Sequence, residues 1–465
     1  MITNCLPSGW VSSNLEELAG VTGLFSDGDW IESKDQDPAG EIRLIQLADV
    51  GDGRFLDRSF RFVNQATAVR LGCTFLEKDD VLVGRMPEPL GRSCVFPGLE
   101  QRAITAVDVA IVRPGPGIDR RWLSHFINAP QFRKEVRSLQ KGTTRKRISR
   151  RNLGGICLPL PPLPEQRRIV EAIESNFARL DEAVAALDQT ARAVEGYWHS
   201  VQNAAFTGRL TAPPASDSTH GGDVEQGIPR GWSLTTVGAL KQFSMYGPRF
   251  SSDEYSQDGT AIVRTTDMRE DTSIDFTESP RITLTAEDLE RYRLERGDLL
   301  ITRTGSLGTL AVYNGQPDAI AGAFLIQYRL NHPMTTVRYV AYWLRSPVGR
   351  AHLLSHAAGS GRPNLSSSGI DSIPVPLAPV EEQSRILETL NKHYSWVLAV
   401  RDAIRESRSR AIRVRKGILR SAFSGNLVPQ DPSDEPASVL LERISKERSS
   451  GSQSMTRKRK TPSAS

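Results

Sequence analysis

The feature that most constrains this chain is an internal repeat. Residues 156–166 have the sequence ICLPLPPLPEQ, and a closely similar sequence, IPVPLAPVEEQ, occupies 373–383. A second pair of echoes follows at the same offset, AFTGRL at 205–210 and AFSGNL at 422–427. The segments between the echoes therefore have equal length. The repeat predicts the order globule, long helix, globule, long helix.

Fainter echoes in front of each helix support this organisation, for example Gly9-Trp10 against Gly231-Trp232. The repeat and the composition predict six segments. They are a first globular domain at 1–155, the first proline-rich helix start and long helix at 156–211, a Pro/Ser/Gly-rich linker at 212–227, a second globular domain at 228–372, the second helix start and helix at 373–430, and a Ser-rich tail at 431–465 that is expected to be disordered.

Composition restricts the class of protein. With 465 residues the chain is long enough for two to four domains. No run of 18 apolar residues is present, and residues 1–30 lack a basic start followed by an apolar stretch, so a cytoplasmic location is expected. The 4 cysteines are scattered and form no Cys-x-x-Cys pair, which disfavours a zinc ribbon or a disulfide framework. The net charge of +5 is compatible with nucleic-acid binding.

The first long helix has an unbroken heptad pattern of apolar residues from Ile173 to Ala205. Pro164 suits a first helical turn, Glu165 and Gln166 suit its positive end, and Gly208 is placed to end the helix. A helix of about 42 residues would extend about 63 Å. It is too long to belong to a single globule.

The second helix has a rougher apolar pattern, interrupted every seven residues by Arg401, Arg408 and Arg415. Residues 165–205 contain 7 acids and 4 bases, a net charge of −3, whereas 381–422 contain 5 acids and 10 bases, a net charge of +5. Opposite charges favour pairing between the two helices, with acidic residues of the first helix as partners of the arginines. The connection predicts an antiparallel coiled coil with approximate two-fold symmetry and one globule at each end.

The globules mix short β-type segments with helical ones, so each is predicted to be a mixed α/β domain. Predicted strands are 43–47, 81–84, 104–112, 261–264, 299–302 and 324–329, and predicted helices are 121–139 and 337–356.

The sequence lacks the common motifs for catalysis and nucleotide binding. The chain has no phosphate-binding loop followed by Lys-Ser/Thr, no dinucleotide-binding glycine fingerprint and no nucleophile elbow. The glycine-rich loop at 303–308 can approach a phosphate closely, although strand-end glycines are more often simple turns. His352 and His356 have metal-ligand spacing but no nearby acid. We predict no active site and no metal site.

The repeated order of globule, proline-rich helix start ending in Glu-Gln, long helix and Ala-Phe-Thr/Ser-Gly exit resembles the DNA-specificity subunits of type I restriction-modification enzymes. The resemblance covers about residues 1 to 430. It implies a non-catalytic subunit with two target-recognition domains, each recognising one half of an asymmetric, bipartite site in double-stranded DNA. It also implies partners: two modification subunits, which are adenine methyltransferases, and restriction subunits. S-adenosylmethionine, ATP and Mg would bind those partners, and no cofactor is expected in this chain.

The resemblance also suggests candidate site residues, because Arg, Lys and Asn suit phosphates and base edges. In the family, a loop shortly before the proline-rich segment matches 142–148 in the first half and 359–365 in the second. The candidate DNA contacts in and beside these loops are Lys141, Thr143, Thr144, Arg145, Lys146, Arg147, Arg151, Arg362 and Asn364. Further candidates, chosen because they lie at strand ends or in loops, where a single residue is more often ordinary surface, are Arg85, Arg249, Arg264, Asp267, Arg303 and Gly305. The candidate helix-start and subunit-interface residues are Pro162, Glu165, Gln166, Pro379, Glu382 and Gln383.

Two alternatives stay open. A coiled-coil assembly scaffold that binds only proteins would share the same long helices. A catalytic DNA methyltransferase is disfavoured, because the chain lacks both a dinucleotide-type glycine loop and an Asn/Asp-Pro-Pro-aromatic tetrapeptide.

Overall fold

The chain forms two compact units. A computed structural model describes residues 6–20, 22–87, 89–142, 146–211, 224–225, 228–357 and 363–446. Unit 1 comprises residues 1–186 and 406–465, and unit 2 comprises residues 187–405. Each unit therefore contains one globular region together with part of both long helices.

Unit 1 contains nine short strands among its described residues. They are β1 (Val11–Asn14), β2 (Leu24–Ser26), β3 (Ile42–Ile45), β4 (Phe62–Val63), β5 (Val81–Gly84), β6 (Ser93–Val95), β7 (Ala103–Thr105), β8 (Val109–Arg113) and β9 (Cys157–Leu160). The helices that begin in unit 1 are α1 (Leu15–Ala19), α2 (Gln65–Leu71), α3 (Arg120–Ile127), α4 (Pro130–Leu139), α5 (Arg150–Gly154) and the long α6 (Leu163–Phe206), and a further helix covers 437–446.

Unit 2 contains eleven strands in the part that the structure describes. They are β10 (Val224–Glu225), β11 (Ile228–Pro229), β12 (Ser233–Thr236), β13 (Lys241–Tyr246), β14 (Thr260–Val263), β15 (Arg281–Ile282), β16 (Leu299–Thr302), β17 (Leu310–Val312), β18 (Ala319–Ala321), β19 (Leu325–Leu330) and β20 (Pro374–Leu377). The helices that begin in unit 2 are α7 (Val237–Leu240), α8 (Ala286–Tyr292), α9 (Met334–Arg345), α10 (Pro347–Ser355), α11 (Ser367–Asp371) and the long α12 (Val380–Ala422).

The two units repeat one topology. A four-stranded sheet has the order β2-β8-β5-β6 in unit 1 and β13-β19-β16-β17 in unit 2. A three-stranded sheet has the order β4-β3-β7 or β15-β14-β18, with one parallel pair in each. A two-stranded ladder, β1-β9 or β12-β20, joins the start of each globule to the proline-rich segment before its helix. The predicted mixed α/β fold and internal repeat are confirmed at this level.

Two of the predicted helices are wrong, because a proline divides each of them into two. The predicted helix 121–139 is two helices, α3 and α4, and the predicted helix 337–356 is α9 and α10. Pro130 and Pro347 each occupy the first turn of the second helix in the pair. Proline lacks a backbone N–H and disfavours a helical residue before it, so each break falls just before the ring. The predicted strand 104–112 is likewise β7 and β8, separated by residues 106–108.

The long helices have 44 and 43 residues, close to the predicted 42. Each ends near a glycine with positive φ, Gly208 at +71° and Gly425 at +76°, as the sequence predicted. In unit 1, Phe423 lies against the rings of Trp122 and Phe126. The equivalent Phe206 in unit 2 lies against Tyr339 and Trp343. Aromatic residues thus attach a helix exit to each core.

The prediction of a disordered tail is wrong for residues 431–446. A helix covers 437–446, in which Ala437 and Ile444 are buried in the core of unit 1. Ala437 N donates to Gly9 O at 2.9 Å, and Asp434 forms an ion pair with Arg168 at 2.7 Å. The buried residues recur at helical spacing, which gives this segment an apolar face to bury. Residues 447–465 lie outside the described residues.

No helix in the described part of the chain is both long and apolar enough to cross a membrane.

Candidate nucleic-acid interface

In unit 2, Arg303 lies at the end of β16 and joins residues that are distant in sequence. Its guanidinium carbon lies 4.5 Å from the centre of the Tyr246 ring, and its Nε donates to Oδ1 of Asn364 at 3.2 Å. Its backbone N–H donates to Phe324 O, and its carbonyl accepts from Leu365 N. The structure therefore brings together two predicted residues, Arg303 and Asn364, with two aromatic residues that the sequence analysis missed.

The surface of this cluster combines exposed rings with polar donors. Tyr246 is 41% exposed and Phe324 is 57% exposed. Gly305 is also exposed, and its φ of +79° would strain a residue that carries a side chain. No neighbouring atom lies within 4 Å of the position that a Cβ atom would take, so a ligand can approach its backbone closely. Ser367 N donates to Tyr246 Oη at 3.1 Å, and hydrogen bonding with Ser367 lowers the pKa of Tyr246. Arginine and asparagine suit base edges, and exposed rings suit stacking on bases. We name Tyr246, Arg303, Phe324 and Asn364 the aromatic cluster.

In unit 1, Arg85 lies at the end of β5, the strand equivalent to β16. Arg85 is buried and forms an ion pair with Asp27. Burial lowers the pKa of Arg85, and the nearby charge of Arg147 lowers it further. Arg147 in turn donates from Nη2 to Oδ1 of Asp108 at 2.7 Å. A carboxylate thus compensates the charge of each arginine.

Residues 141–151, which we name the basic loop, contain six cations. Ile148 N donates to Arg85 O, which attaches the loop to the end of β5. The backbone N–H of Lys141 donates to Arg147 O at 2.9 Å, and the backbone N–H of Arg147 donates to Lys141 O at 2.8 Å. These two bonds close the base of the loop.

Three of the predicted cations in the basic loop face solvent. Lys141, Lys146 and Arg151 are exposed, and none of the three pairs with a carboxylate among the described residues. We name these three the free cations. The other predicted residues of the two loops, Thr143, Thr144, Arg145 and Arg362, lie outside the described residues.

The remaining predicted contacts are Arg249, Arg264 and Asp267. Arg249 is exposed. Asp267 is buried, and its carboxylate accepts hydrogen bonds from Arg264 N, the Arg264 guanidinium and Ser279 Oγ. A carboxylate that is saturated in this way stabilises its own turn. Asp49 holds the equivalent turn of unit 1 by accepting from the backbone N–H groups of residues 58 and 59.

The residues at the helix starts stabilise the interior of each unit. Trp10 Nε1 donates to Glu165 Oε2 at 2.9 Å, and Trp232 Nε1 donates to Glu382 Oε2 at 3.0 Å. Gln166 is buried. Its Nε2 donates to the carbonyl of residue 161 at 3.0 Å, and its Oε1 accepts from the backbone N–H of residue 119.

Burial shows which of these helix-start residues face outward. Gln383 repeats the first of the Gln166 bonds, donating to Ala378 O at 2.7 Å. The repeated Gly-Trp pair was visible in the sequence. The sequence did not indicate that each tryptophan would donate a hydrogen bond to a glutamate more than 100 residues away. Pro162, Glu165, Gln166 and Gln383 are buried, whereas Pro379 is exposed and Glu382 is half-buried.

The two histidines with metal-ligand spacing do not form a metal centre. His356 Nε2 lies 3.3 Å from Ser372 Oγ. No group of three or more His, Cys, Asp or Glu side chains in the described ranges is arranged to hold a metal ion.

The known proteins to which this chain is similar are specificity subunits of type I restriction enzymes. Residues 229–406 match the family "Type I restriction modification DNA specificity domain". The chain is 23% identical to the type I restriction enzyme EcoBI specificity subunit of Escherichia coli, over 97% of this chain and 95% of that protein. It is 26% identical to the StySPI specificity subunit of Salmonella potsdam, over 75% of this chain and 76% of that protein.

Solved structures show a similar fold. One of them is described as the "structural basis underlying complex assembly and conformational transition of the type I R-M system". A chain of that structure aligns with a TM-score of 0.69 and 19% identity, and the alignment covers 91% of this chain and 100% of that chain. The HsdS subunit of Thermoanaerobacter tengcongensis aligns with a TM-score of 0.51 and 19% identity, covering 91% and 99%.

Proposed function

Because the chain belongs to the family of type I restriction-modification specificity subunits, we propose that it recognises a bipartite, asymmetric site in double-stranded DNA. Unit 1 recognises one half of the site and unit 2 recognises the other. The observation that carries this proposal is the repetition of one topology with an arginine at the same strand end, surrounded by different chemistry in each unit. An asymmetric site requires this combination of one scaffold with two different surfaces.

The two long helices supply the spacing. In unit 1, Arg415 of α12 donates to Asp181 of α6 at 2.8 Å. In unit 2, Arg401 of α12 donates to both carboxylate oxygens of Glu195, at 2.9 and 2.8 Å. Both ion pairs join an arginine of the second helix to an acidic residue of the first, as the sequence predicted.

Within unit 2 the paired segments are antiparallel. The rings of Trp198 and Tyr394 lie 5.1 Å apart, whereas Arg401, further along α12, meets Glu195, which is earlier on α6. From these contacts we infer an antiparallel coiled coil along the whole length of both helices, with approximate two-fold symmetry. Knob-into-hole packing with opposite flanking charge fixes the register of such a pair. A fixed register holds the two recognition surfaces at a fixed spacing.

The chemistry of the complex belongs to its partners in this proposal. Two modification subunits, which are adenine methyltransferases, bind the chain and methylate the site, and restriction subunits join them. S-adenosylmethionine, ATP and Mg bind those partners, and this chain is the non-catalytic, cytoplasmic recognition subunit.

Genome-wide methylation mapping tests the proposal. The host is sequenced with and without this chain, in the presence of its modification subunits. We expect adenine methylation at one bipartite motif, two short sequences separated by a constant gap, that disappears when the chain is deleted. A continuous motif, or a methylation pattern independent of the chain, would contradict the proposal.

A matched insertion tests the spacing. One heptad inserted after Leu187 of α6 and one after Ile404 of α12 preserve the apolar pattern and add about 10 Å, or about three base pairs. Both half-sequences should stay the same while the gap lengthens. An insertion in α6 alone serves as the control, because it breaks the register and should abolish methylation.

The assembly scaffold stays the second candidate, supported by the long helices. The salt dependence of duplex binding separates the two functions, because phosphate contacts release counterions and protein contacts do not. A steep decrease in duplex affinity with salt favours DNA recognition, and absence of duplex binding by the assembled complex favours the scaffold.

A further inference from the structure

Unit 2 contains a polar cavity of about 280 Å³ that the proposed recognition surface does not use. Its wall is formed by α6, the turn after Asp267, the residues before β17, the end of α9, the start of α10 and the middle of α12. Three features of its lining indicate a ligand.

The first feature is a glutamine on the cavity wall whose amide has no protein partner. Gln202 of α6 is only 3% exposed and lines the cavity. Its side chain makes no hydrogen bond to any described residue. Its amide atoms are not enclosed by protein, and because the side chain lines the cavity they are open to it, where a ligand can accept a hydrogen bond from the NH₂ group.

The second feature is a pair of arginines without carboxylate partners. Arg345 has one long hydrogen bond, from Nη1 to Arg269 O at 3.4 Å, and burial lowers its pKa. Arg350 lies at the same cavity, and neither arginine forms an ion pair with a carboxylate of the described chain. Two guanidinium groups therefore line the cavity with donors available to a ligand.

The two carboxylates of the cavity wall share one arginine, Arg401. Burial lowers the pKa of Arg345, and Glu270 and Asp271 partly offset this effect by raising it. Glu195 and Glu270 both line the cavity and both bind Arg401. Arg269 is paired with Asp275. The positive charge available to a ligand therefore comes from Arg345 and Arg350.

The third feature is the contrast with unit 1. Arg133 of α4 occupies the place that Arg350 occupies on α10, since each follows the proline of its helix by three residues. Arg133 is buried and donates to Asp52 at 2.9 Å and to Asn128 Oδ1 at 2.7 Å. Unit 1 satisfies its arginine internally, whereas unit 2 leaves the equivalent arginine at a cavity.

The geometry points to an oxyanion site in unit 2 that binds a phosphate group through Arg345, Arg350 and the Gln202 amide. Guanidinium groups match phosphate oxygens with paired hydrogen bonds, and an amide NH₂ group adds a neutral donor. The phosphate has two possible sources, a free phosphate compound or the backbone of bound DNA. Inorganic phosphate is a probe for the site whichever source is correct, and its binding does not depend on DNA recognition.

Calorimetric titration of the full chain with inorganic phosphate at constant ionic strength tests the site. We expect saturable binding that weakens about tenfold or more in R350A and in Q202L, because each removes a hydrogen-bond donor to a charged ligand. The matched control is R338A, which removes an exposed arginine of α9 that lines a different cavity. Circular dichroism confirms that every variant is folded.

A second arm identifies the source. If the site holds a DNA phosphate, bound duplex prevents phosphate binding and R350A lowers the salt slope of duplex binding by about 0.9. If it holds a free phosphate compound, R350A leaves duplex binding unchanged. Absence of saturable phosphate binding to the wild-type chain, or equal phosphate affinity in wild type, R350A and Q202L, would overturn the inference.

Discussion

The strand-end arginines Arg85 and Arg303 occupy the same place in two copies of one topology, yet their neighbours differ in chemistry. Arg85 is buried against Asp27, and its backbone N–H donates to Asp108 O. Arg303 lies on Tyr246, and its backbone N–H donates to Phe324 O. Two acidic residues in unit 1 thus correspond to two aromatic residues in unit 2. In the proposed function, the duplicated backbone fixes where each recognition surface lies, and a few side chains decide what it recognises.

This difference assigns different tasks to the two arginines. A buried arginine paired with a carboxylate stabilises the fold, and in the proposed function DNA contact in unit 1 then falls to the free cations. A partly exposed arginine on an aromatic ring is available to a base edge. Substitutions in each unit can therefore separate recognition from stability.

Replacing Arg303 with alanine should weaken binding of the assembled complex to its DNA site by about 10- to 100-fold, because one good arginine–base contact contributes about 1–3 kcal/mol. The affinity is measured by competition, and the competitor is the same duplex with an altered second half-site. R338A is the control, and it should bind like wild type. Wild-type affinity in R303A would remove the aromatic cluster from the DNA surface.

Replacing Arg85 with alanine should instead reduce the free energy of unfolding, by roughly 2 kcal/mol, since it leaves the partner carboxylate without its buried counter-ion. R303A should lose less than about 1 kcal/mol by the same measure, because its guanidinium is partly exposed and packs on a ring instead of a carboxylate. Urea unfolding of both variants makes the comparison. Equal decreases in the two variants would contradict the different roles of the two arginines.

Replacing Lys141 and Lys146 with alanine should weaken duplex binding for all sequences alike and reduce the salt slope by about 0.9 for each phosphate interaction that the substitutions remove. The matched control is K134A/R137A, which removes two exposed cations from α4 of the same unit. Affinity measured at several salt concentrations gives the slopes. If the control variant changes the slope as much as the loop variant, the effect is one of net charge and the loop has no special role.

Replacing Glu165 with glutamine should change the pH dependence of stability. Burial is the main cause that raises the pKa of Glu165 in the folded chain, while the hydrogen bond from Trp10 lowers it. The folded state therefore binds the proton more tightly, and stability decreases as pH rises from the ordinary glutamate pKa through the folded value.

The link between Glu165 protonation and the free energy of unfolding also sets the size of the expected effect and its control. The decrease should stay below about 1.4 kcal/mol for a shift of one pKa unit, and it should be absent in E165Q. W10F removes the donor and should extend the decrease to higher pH. Chemical denaturation across the acidic and neutral pH range measures both, and the same pH profile in E165Q and wild type would refute this explanation.

Much of the fold could be predicted because its signals are local and repeated. The strands at 81–84 and 299–302 were predicted with their observed bounds, since each is a buried apolar run between turn residues. The long helices followed from periodicity and equal length. The breaks at Pro130 and Pro347 were missed because the helical pattern continues across them, although the proline itself was the available signal.

The site was less predictable, because its partners are distant in sequence. Arg303 and Asn364 were both proposed, but nothing local indicated that Asn364, 61 residues away, would accept its hydrogen bond. Asp27 and Asp108 were missed because single acidic residues at strand ends look like ordinary surface. Only the folded sheet places them beside Arg85 and Arg147.

Methylation-site mapping of the complex that carries R303A tests the central claim most directly, namely that each unit recognises its own half of the site. We expect methylated sites in which the half recognised by unit 2 is relaxed, while the other half and the gap are unchanged. Relaxation of both halves, or relaxation only of the half assigned to unit 1, which does not contain Arg303, would contradict the claim.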